Sequence, residues 1–148
     1  CENAEVAFAG SADREGDLEW SWTLGNGAVA SQPAPGIIRY ERAGIYPVQL
    51  IVAHNGCRDT VNWNLTVHPN PVPALTPKDP VLCLGNSVQL SVRDGVQYQW
   101  KPAEGIANLN IPNPFISPTV STSYKVTVIN QFGCVSMDST TVTVAQPI

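Results

Sequence analysis

The chain has 148 residues, of which 43% are hydrophobic and 14% are charged, and its formal net charge is −4. This composition is typical of a packed globular protein and excludes extended disorder. The eight basic residues are scattered and outnumbered by acidic ones, which argues against nucleic acid or an anionic membrane surface as partner. No apolar run approaches the roughly 20 residues that a membrane-spanning helix needs.

The first half of the chain alternates apolar and polar residues with a period of two, the pattern of short antiparallel strands. Turn signals such as "GNG" and "HNG" separate these runs, so the sequence predicts an all-β fold. The side chains predicted to point inward on two of these strands are Tyr46, Val48, Leu50 and Val52, followed by Val61, Trp63, Leu65 and Val67.

The stretch "HPNPVP" places prolines at positions 69, 71 and 73. Alternating prolines favour an extended, semi-rigid connection and cannot continue the interior of a sheet. The sequence therefore predicts a first domain at residues 1–68, a proline linker at 69–73 and a second domain at 74–148.

The second half repeats the order of features in the first. Each half has a cysteine, an apolar strand, an aromatic-X-Trp pattern, a strand that opens on tyrosine, a Gly-Cys pair and a closing strand. Two copies at a period of about 75 residues predict two separately folded modules. We expect each to be an immunoglobulin-like sandwich of about seven strands. In that fold Trp22, Trp63 and Trp100 are core residues, and Tyr46 and Tyr124 anchor the chain as a tyrosine corner does.

The four cysteines fall two in each half. A module of roughly 70 residues buries little surface, and a disulfide that closes a loop of some 50 residues contributes about 4 kcal/mol in the chain-entropy account. We therefore expect bridges between Cys1 and Cys57 and between Cys83 and Cys134. Such bridges indicate a protein that folds outside the reducing cytosol.

Several residues are candidates for a site. The carboxylates of Asp13, Glu15 and Asp17 alternate along "DREGDLE" and would form a Ca²⁺ site if they share one side of the strand, with a solvated acidic loop as the alternative. Trp20 and Tyr98, at the outer ends of their strands, are the aromatic side chains that could stack on a sugar. The sequence has two histidines and no thiol left over from the expected bridges, so it predicts no catalytic centre.

The stretch "WSWTLGNG", followed by "YERAGIYPVQLIV" and "GCRDTVNWNLTV", resembles a PKD repeat. That pattern has Trp-X-Phe-Gly-Asp-Gly, here with Leu24 and Asn26 in place of phenylalanine and aspartate, and a Gly-X-Tyr-X-Val strand, here at residues 44–48. Residues 74–148 are similar to the immunoglobulin-like modules that accompany PKD repeats in surface proteins of Bacteroidetes.

The resemblance implies a non-catalytic, extracellular interaction or spacer module of a larger surface or secreted protein, related to adhesion and exported by the type IX route. Its partners would be a protein or glycan at a surface and neighbouring domains of a longer chain. The alternative is a carbohydrate-binding accessory module of a secreted polysaccharide-degrading enzyme. Thr60 and Ser139 lie in segments that resemble the Asp-Ser/Thr acceptor of O-glycans in Bacteroidetes, although both residue types also favour strands. No cofactor other than structural Ca²⁺ is expected.

Overall fold

Strands and turns, without helices, make up the described chain. The computed structural model describes residues 1–146 and 148, and no helix occurs among them. The expected all-β class is therefore confirmed. The chain divides into two compact units, Cys1–Pro69 and Asn70–Ile148. That each half folds by itself stays a prediction.

The first unit consists of two antiparallel sheets. Its strands are β1 (Ala4–Phe8), β2 (Glu19–Thr23), β3 (Val29–Ala30), β4 (Gly36–Tyr40), β5 (Gly44–His54) and β6 (Cys57–Val67). β1 pairs with β4, and the other sheet has the order β3-β2-β5-β6. β6 is thus an edge strand of the larger sheet.

The hairpin of β5 and β6 turns at the "HNG" signal in the sequence. Asn55 and Gly56 have φ angles of 48° and 82°, the left-handed conformations that a two-residue type I′ turn requires. Cys57 lies opposite His54 in the strand register, directly after this turn. The Gly-Cys pair of the first half therefore marks the point at which the closing strand leaves a hairpin turn.

A buried tryptophan and a buried tyrosine organise the core of the first unit. Trp22 is 1% exposed, and its Nε1–H donates to the carbonyl of Gln32 at 3.0 Å. The Tyr40 hydroxyl donates to the carbonyl of Leu24 at 2.8 Å, and burial raises the pKa of this hydroxyl above its ordinary value. Both bonds satisfy polar groups that the core would otherwise leave unpaired. The buried cluster comprises Phe8, Trp22, Leu24, Tyr40, Val48, Leu50 and Val67.

The second unit also has a four-stranded and a two-stranded sheet. Its strands are β7 (Val81–Cys83), β8 (Val88–Gln89), β9 (Gln97–Lys101), β10 (Phe115–Ile116), β11 (Thr122–Ile129) and β12 (Val135–Ala145). The larger sheet has the order β7-β12-β11-β9, in which β7 runs parallel to β12, and β10 pairs with β8. The described part of each unit therefore has six strands, against the seven or so expected.

The core of the second unit repeats the hydrogen bonds of the first. The Nε1–H of Trp100 donates to the carbonyl of Ile111 at 2.8 Å, and the Tyr124 hydroxyl donates to the carbonyl of Glu104 at 2.5 Å. Burial raises the pKa of Tyr124. The predicted core positions of Trp22 and Trp100 are confirmed.

Asp138 and Thr140, on the inner face of β12, attach the segment that precedes β7. The Asp138 carboxylate accepts hydrogen bonds from the Leu75 N–H at 3.1 Å and from Lys78 Nζ at 2.6 Å. The Thr140 hydroxyl accepts a bond from the Asp79 N–H at 2.8 Å. These bonds cover the edge of β12, and the Leu75 side chain joins the core cluster of the unit.

The predicted semi-rigid proline linker, residues 69–73, spans the division between the two units. Asn70 to Pro73 belong to the second unit, where Pro71 and Pro73 are buried. The Val72 N–H donates to the Asp94 carboxylate at 2.7 Å, and the Pro73 carbonyl accepts a bond from the Arg93 N–H at 2.9 Å. These bonds fix the segment because a proline-rich stretch still offers its carbonyls and its non-proline amide.

We expect Tyr40→Phe to destabilise the first unit by about 1–2 kcal/mol, because it leaves the buried Leu24 carbonyl without its donor. Tyr46→Phe is the matched control, since the Tyr46 hydroxyl donates to the Arg42 carbonyl at an exposed position. The control should change stability by less than about 0.5 kcal/mol. Urea unfolding followed by tryptophan fluorescence measures both, and equal losses would contradict the assigned role of Tyr40.

We expect Asp138→Asn to flatten the acid limb of the stability profile. Burial alone would raise the pKa of Asp138, but the bonds from Lys78, Leu75 and Ser139 lower it overall. The carboxylate therefore stabilises the fold above the pKa of the unfolded chain, about 3.9, and this contribution is lost as the pH falls through the lower folded-state value. The measurement is the unfolding free energy between neutral and strongly acidic pH.

The matched control for that experiment is Glu41→Gln, which changes the net charge equally at an exposed position of the first unit. It should leave the acid limb as it is in the parent chain. An Asp138→Asn profile that coincides with the parent profile would show that the carboxylate does not attach the segment before β7.

Candidate recognition site

A cleft lies at the hairpin end of the first unit, between the loop that joins β1 to β2 and the inner face of β5 and β6. Its volume is about 620 Å³. The floor is apolar and the rim carries charges of both signs. The floor residues are Leu18, Leu50, Val52, Ala53 and Val61, and the charged rim residues are Asp13, Arg14, Arg58 and Asp59.

The cleft is open because nothing in the first unit covers the inner face of β6 at this level. Val61 is 52% exposed and Trp63 is 37% exposed, so the prediction that both point into a closed core is wrong. The Trp63 ring does contact Phe8 and Trp22, with ring centroids 6.4 Å and 6.1 Å apart. Its remaining surface faces the edge of the sheet.

In the second unit the equivalent surface, on the inner face of β12, is covered by the segment that precedes β7. Val61 and Trp63 stand four and six residues after Cys57, as Asp138 and Thr140 stand four and six residues after Cys134. In the second unit these positions bind the segment before β7. In the first unit the same two positions carry apolar side chains without such a segment, so an apolar strip is left at the sheet edge.

The charged side chains of the rim make few contacts with the rest of the protein. No salt bridge to Arg14 or Arg58 occurs among the described residues. Asp59 Oδ1 accepts the N–H of its neighbour Thr60 at 2.9 Å. His54 Nδ1 lies 2.9 Å from the Asp17 carbonyl, a contact that joins the loop to the hairpin.

The expected calcium site is not formed. Across residues 1–146 and 148, no group of three or more His, Cys, Asp or Glu side chains lies close enough to hold a metal ion. The loop bends at Gly16, whose φ is 135°, so Asp13, Glu15 and Asp17 do not follow one extended strand. Asp13 lines the cleft, and Asp17 contributes its backbone carbonyl to His54.

The two aromatic residues predicted to stack on a sugar, Trp20 and Tyr98, are packed against the cores of their units. Trp20 lies against the core cluster, beneath Gly10, where an added Cβ would be 2.5 Å from the indole Cζ3. Tyr98 packs on the other core, and its hydroxyl donates to the Gly95 carbonyl. Neither ring forms a flat exposed platform, and the role of both as ligand residues stays a prediction.

The predicted bridges Cys1–Cys57 and Cys83–Cys134 are wrong. Cys57 and Cys83 are free, exposed thiols, whereas Cys1 and Cys134 are disulfide-bonded. The reason is the length of the closing strand. The Glu2 N–H donates to the carbonyl of His68, so Cys1 lies at the far end of β6 from Cys57.

The same distance separates the two cysteines of the second unit. Cys83 pairs with Ala145 at the end of β12, and Cys134 precedes its start. Strand residues advance about 3.3 Å each, which puts roughly 30–36 Å between the cysteines of either unit. A disulfide needs Cα atoms about 4.4–6.8 Å apart. The ten residues from each Gly-Cys to its final valine were the signal in the sequence that excludes these bridges.

The two candidate glycosylation residues have different surroundings. Thr60 and Ser139 are both exposed on their strands. Ser139 follows the Asp138 that attaches the segment before β7, and its carbonyl accepts a bond from Lys78 Nζ at 3.1 Å. Thr60 lies beside the open cleft. Modification at either residue stays a prediction.

Comparison with known proteins finds a family similarity in the first unit. The family model of the PKD domain matches residues 1–67, and a search of curated proteins gave no match. Among solved structures, the N-terminal four Ig domains of Dscam1 isoform 1.9 share 12% identity at a TM-score of 0.44, over 97% of this chain and 42% of that one. Murine CEACAM1b shares 16% identity at a TM-score of 0.41, over 97% and 94%.

A third structure is the Bacteroides ovatus mixed-linkage glucan utilization locus SGBP-B in complex with a mixed-linkage heptasaccharide, with 14% identity at a TM-score of 0.34, over 95% of this chain and 40% of that one. The chain thus spans about two fifths of the length of the Dscam1 and SGBP-B structures. The family match covers the first unit, and Cys1 and Cys134 are disulfide-bonded. The described residues include no helix of the length and apolarity that crossing a membrane requires.

We expect the native, unreduced chain to react with two equivalents of a thiol reagent, since Cys57 and Cys83 are free and exposed. Cys57→Ser and Cys83→Ser should each leave one reactive thiol. Absorbance titration with a chromogenic disulfide gives the count, and peptide mapping after alkylation gives the positions. A native chain without reactive thiols would contradict the assignment.

Proposed function

We propose that this chain is a non-catalytic interaction and spacer module of a secreted or surface-exposed protein, with an adhesive role. The observation that carries the proposal is the open cleft of the first unit. It combines an apolar floor with the guanidinium groups of Arg14 and Arg58, which form no salt bridge within the described part of the chain, and this combination suits recognition of a ligand.

The side chains at the cleft support binding and not turnover. The free thiol of Cys57 lines the same cleft as His54. The two ring nitrogens of His54 contact the Asp17 carbonyl and the Asn55 side chain, so neither is hydrogen-bonded to that thiol as the base of a nucleophile would be. Recognition on a rigid β scaffold needs no such chemistry.

The cellular location and partners of the module are inferred from its PKD match and its disulfide. A disulfide-bonded PKD and immunoglobulin-like module fits an extracellular protein. The partners would be a protein or glycan at a surface, together with neighbouring domains of a longer chain. Export by the type IX route in Bacteroidetes is part of the proposal and is supported by the sequence resemblance alone.

The test is a binding screen of the immobilised chain on a glycan array and on displayed surface proteins. Any ligand found is retested with the double variant Arg14→Ala/Arg58→Ala. Loss of charge-assisted hydrogen bonds should weaken binding at least about tenfold. The matched control is Arg93→Ala/Lys101→Ala, which removes two exposed cations from the second unit and should bind like the parent chain.

Two results would contradict the proposal. Equal binding by both double variants would move recognition away from the cleft. Turnover of a chromogenic ester or glycoside by the purified chain, above a heat-inactivated sample, would contradict a non-catalytic role.

A further inference from the structure

The two units carry cysteines at two equivalent kinds of position. We call Cys1 and Cys83 edge cysteines, because each lies beside the last residues of the closing strand of its unit. The N–H of Glu2, after Cys1, donates to the His68 carbonyl at 3.0 Å. In the same way the N–H of Leu84, after Cys83, donates to the Ala145 carbonyl at 3.2 Å. Cys57 and Cys134 are tip cysteines, because each follows the last glycine of a hairpin turn. The equivalence holds in backbone hydrogen bonding as well as in sequence order.

One cysteine of each kind is disulfide-bonded and one of each kind is free. The bonded ones are Cys1, an edge cysteine, and Cys134, a tip cysteine. The free ones are Cys83, an edge cysteine, and Cys57, a tip cysteine, and both are exposed. An edge cysteine cannot reach the tip cysteine of its own unit, since roughly 30 Å of strand lies between them.

We propose that Cys83 and Cys57 are covalent docking points for further modules of this type. The edge thiol of Cys83 bonds the tip cysteine of another module, and the tip thiol of Cys57 bonds an edge cysteine. The proposal deepens the proposed extracellular role, on whose oxidising compartment it rests. A second copy of this chain carries both partner cysteines and is the probe.

The surface around Cys83 fits a protein partner. Val81 and Leu84, on either side of the thiol, are 68% and 44% exposed. Neighbouring exposed apolar side chains mark protein contact surfaces more than small-molecule sites. At the tip position Cys57 is the first residue of β6, directly after the type I′ turn, and its thiol is exposed.

The bond forms by thiol–disulfide exchange with a dithiol oxidant in its disulfide form. The thiolate of one module attacks the disulfide of the oxidant, which releases one thiol and leaves a mixed disulfide. The thiolate of the second module then displaces the remaining sulfur. One new S–S bond forms, the S–S bond of the oxidant breaks, and the two protons lost by the modules end on the two thiols of the oxidant.

The experiment mixes Cys57→Ser, which keeps Cys83, with Cys83→Ser, which keeps Cys57, as full chains of distinguishable mass in a glutathione redox buffer. The heterodimer through Cys83 and Cys57 should exceed each homodimer about twentyfold, which is about tenfold above the statistical ratio of two to one and corresponds to a docking preference of about 1.4 kcal/mol. The parent chain should form a ladder of head-to-tail oligomers. Non-reducing electrophoresis and mass spectrometry count the products.

A heterodimer at the statistical ratio to the homodimers, or no disulfide product, would overturn the proposal. Leu84→Asp in the chain that keeps Cys83 should reduce the preference to the statistical ratio, and an unchanged preference would overturn the docking surface. Cys57 lines the cleft, so ligand binding there is measured with Cys83→Ser, which alters no residue of the cleft. A chain that fails to cross-link but still binds its ligand would contradict only the covalent docking, whereas loss of ligand binding bears on the proposed function.

Discussion

The length and pairing of the closing strand impose the geometry on which the rest of each unit depends. β6 and β12 each have eleven residues and pair with the strand before them over most of that length. A strand in a hydrogen-bonded ladder cannot shorten without breaking its pairs. The hairpin turn and the beginning of the unit are therefore separate surfaces, and each surface carries its own cysteine.

The buried polar groups of both units form equivalent hydrogen bonds, whereas the inner faces of the closing strands β6 and β12 carry different side chains. In both, a tryptophan N–H and a tyrosine hydroxyl reach carbonyls of irregular segments. The tyrosine comes from β4 in the first unit and from β11 in the second, so the hydrogen bond is retained although the strand that supplies it differs. The tryptophan and tyrosine side chains are buried, so their N–H and hydroxyl groups would otherwise lack a partner, which explains why such bonds occur in both units.

The sequence was sufficient for features that depend on local patterns. The period-two runs, the "HNG" turn and the tryptophans of the early strands are local, and the structure places them as expected. The cover of β12 by the segment at Leu75 and Lys78 depends on bonds to Asp138 some 60 residues away, and no local pattern reveals it. The exposure of Trp63 follows from the absence of such a cover. Periodicity reports which face a residue occupies but not whether another element covers that face.

The equivalent positions on β6 and β12 carry different side chains, Val61 and Trp63 in the first unit and Asp138 and Thr140 in the second. This difference explains why the same strand arrangement has an open apolar surface in one unit and a covered one in the other. Where the inner edge carries a carboxylate and a hydroxyl, backbone amides of an adjacent segment bind to them and the edge is closed. Where it carries two apolar side chains, no directed bond holds such a segment, and the apolar area stays open beside an unpaired strand edge. The open apolar surface at these positions is therefore confined to the first unit, because the second unit uses the same positions to attach the segment before β7.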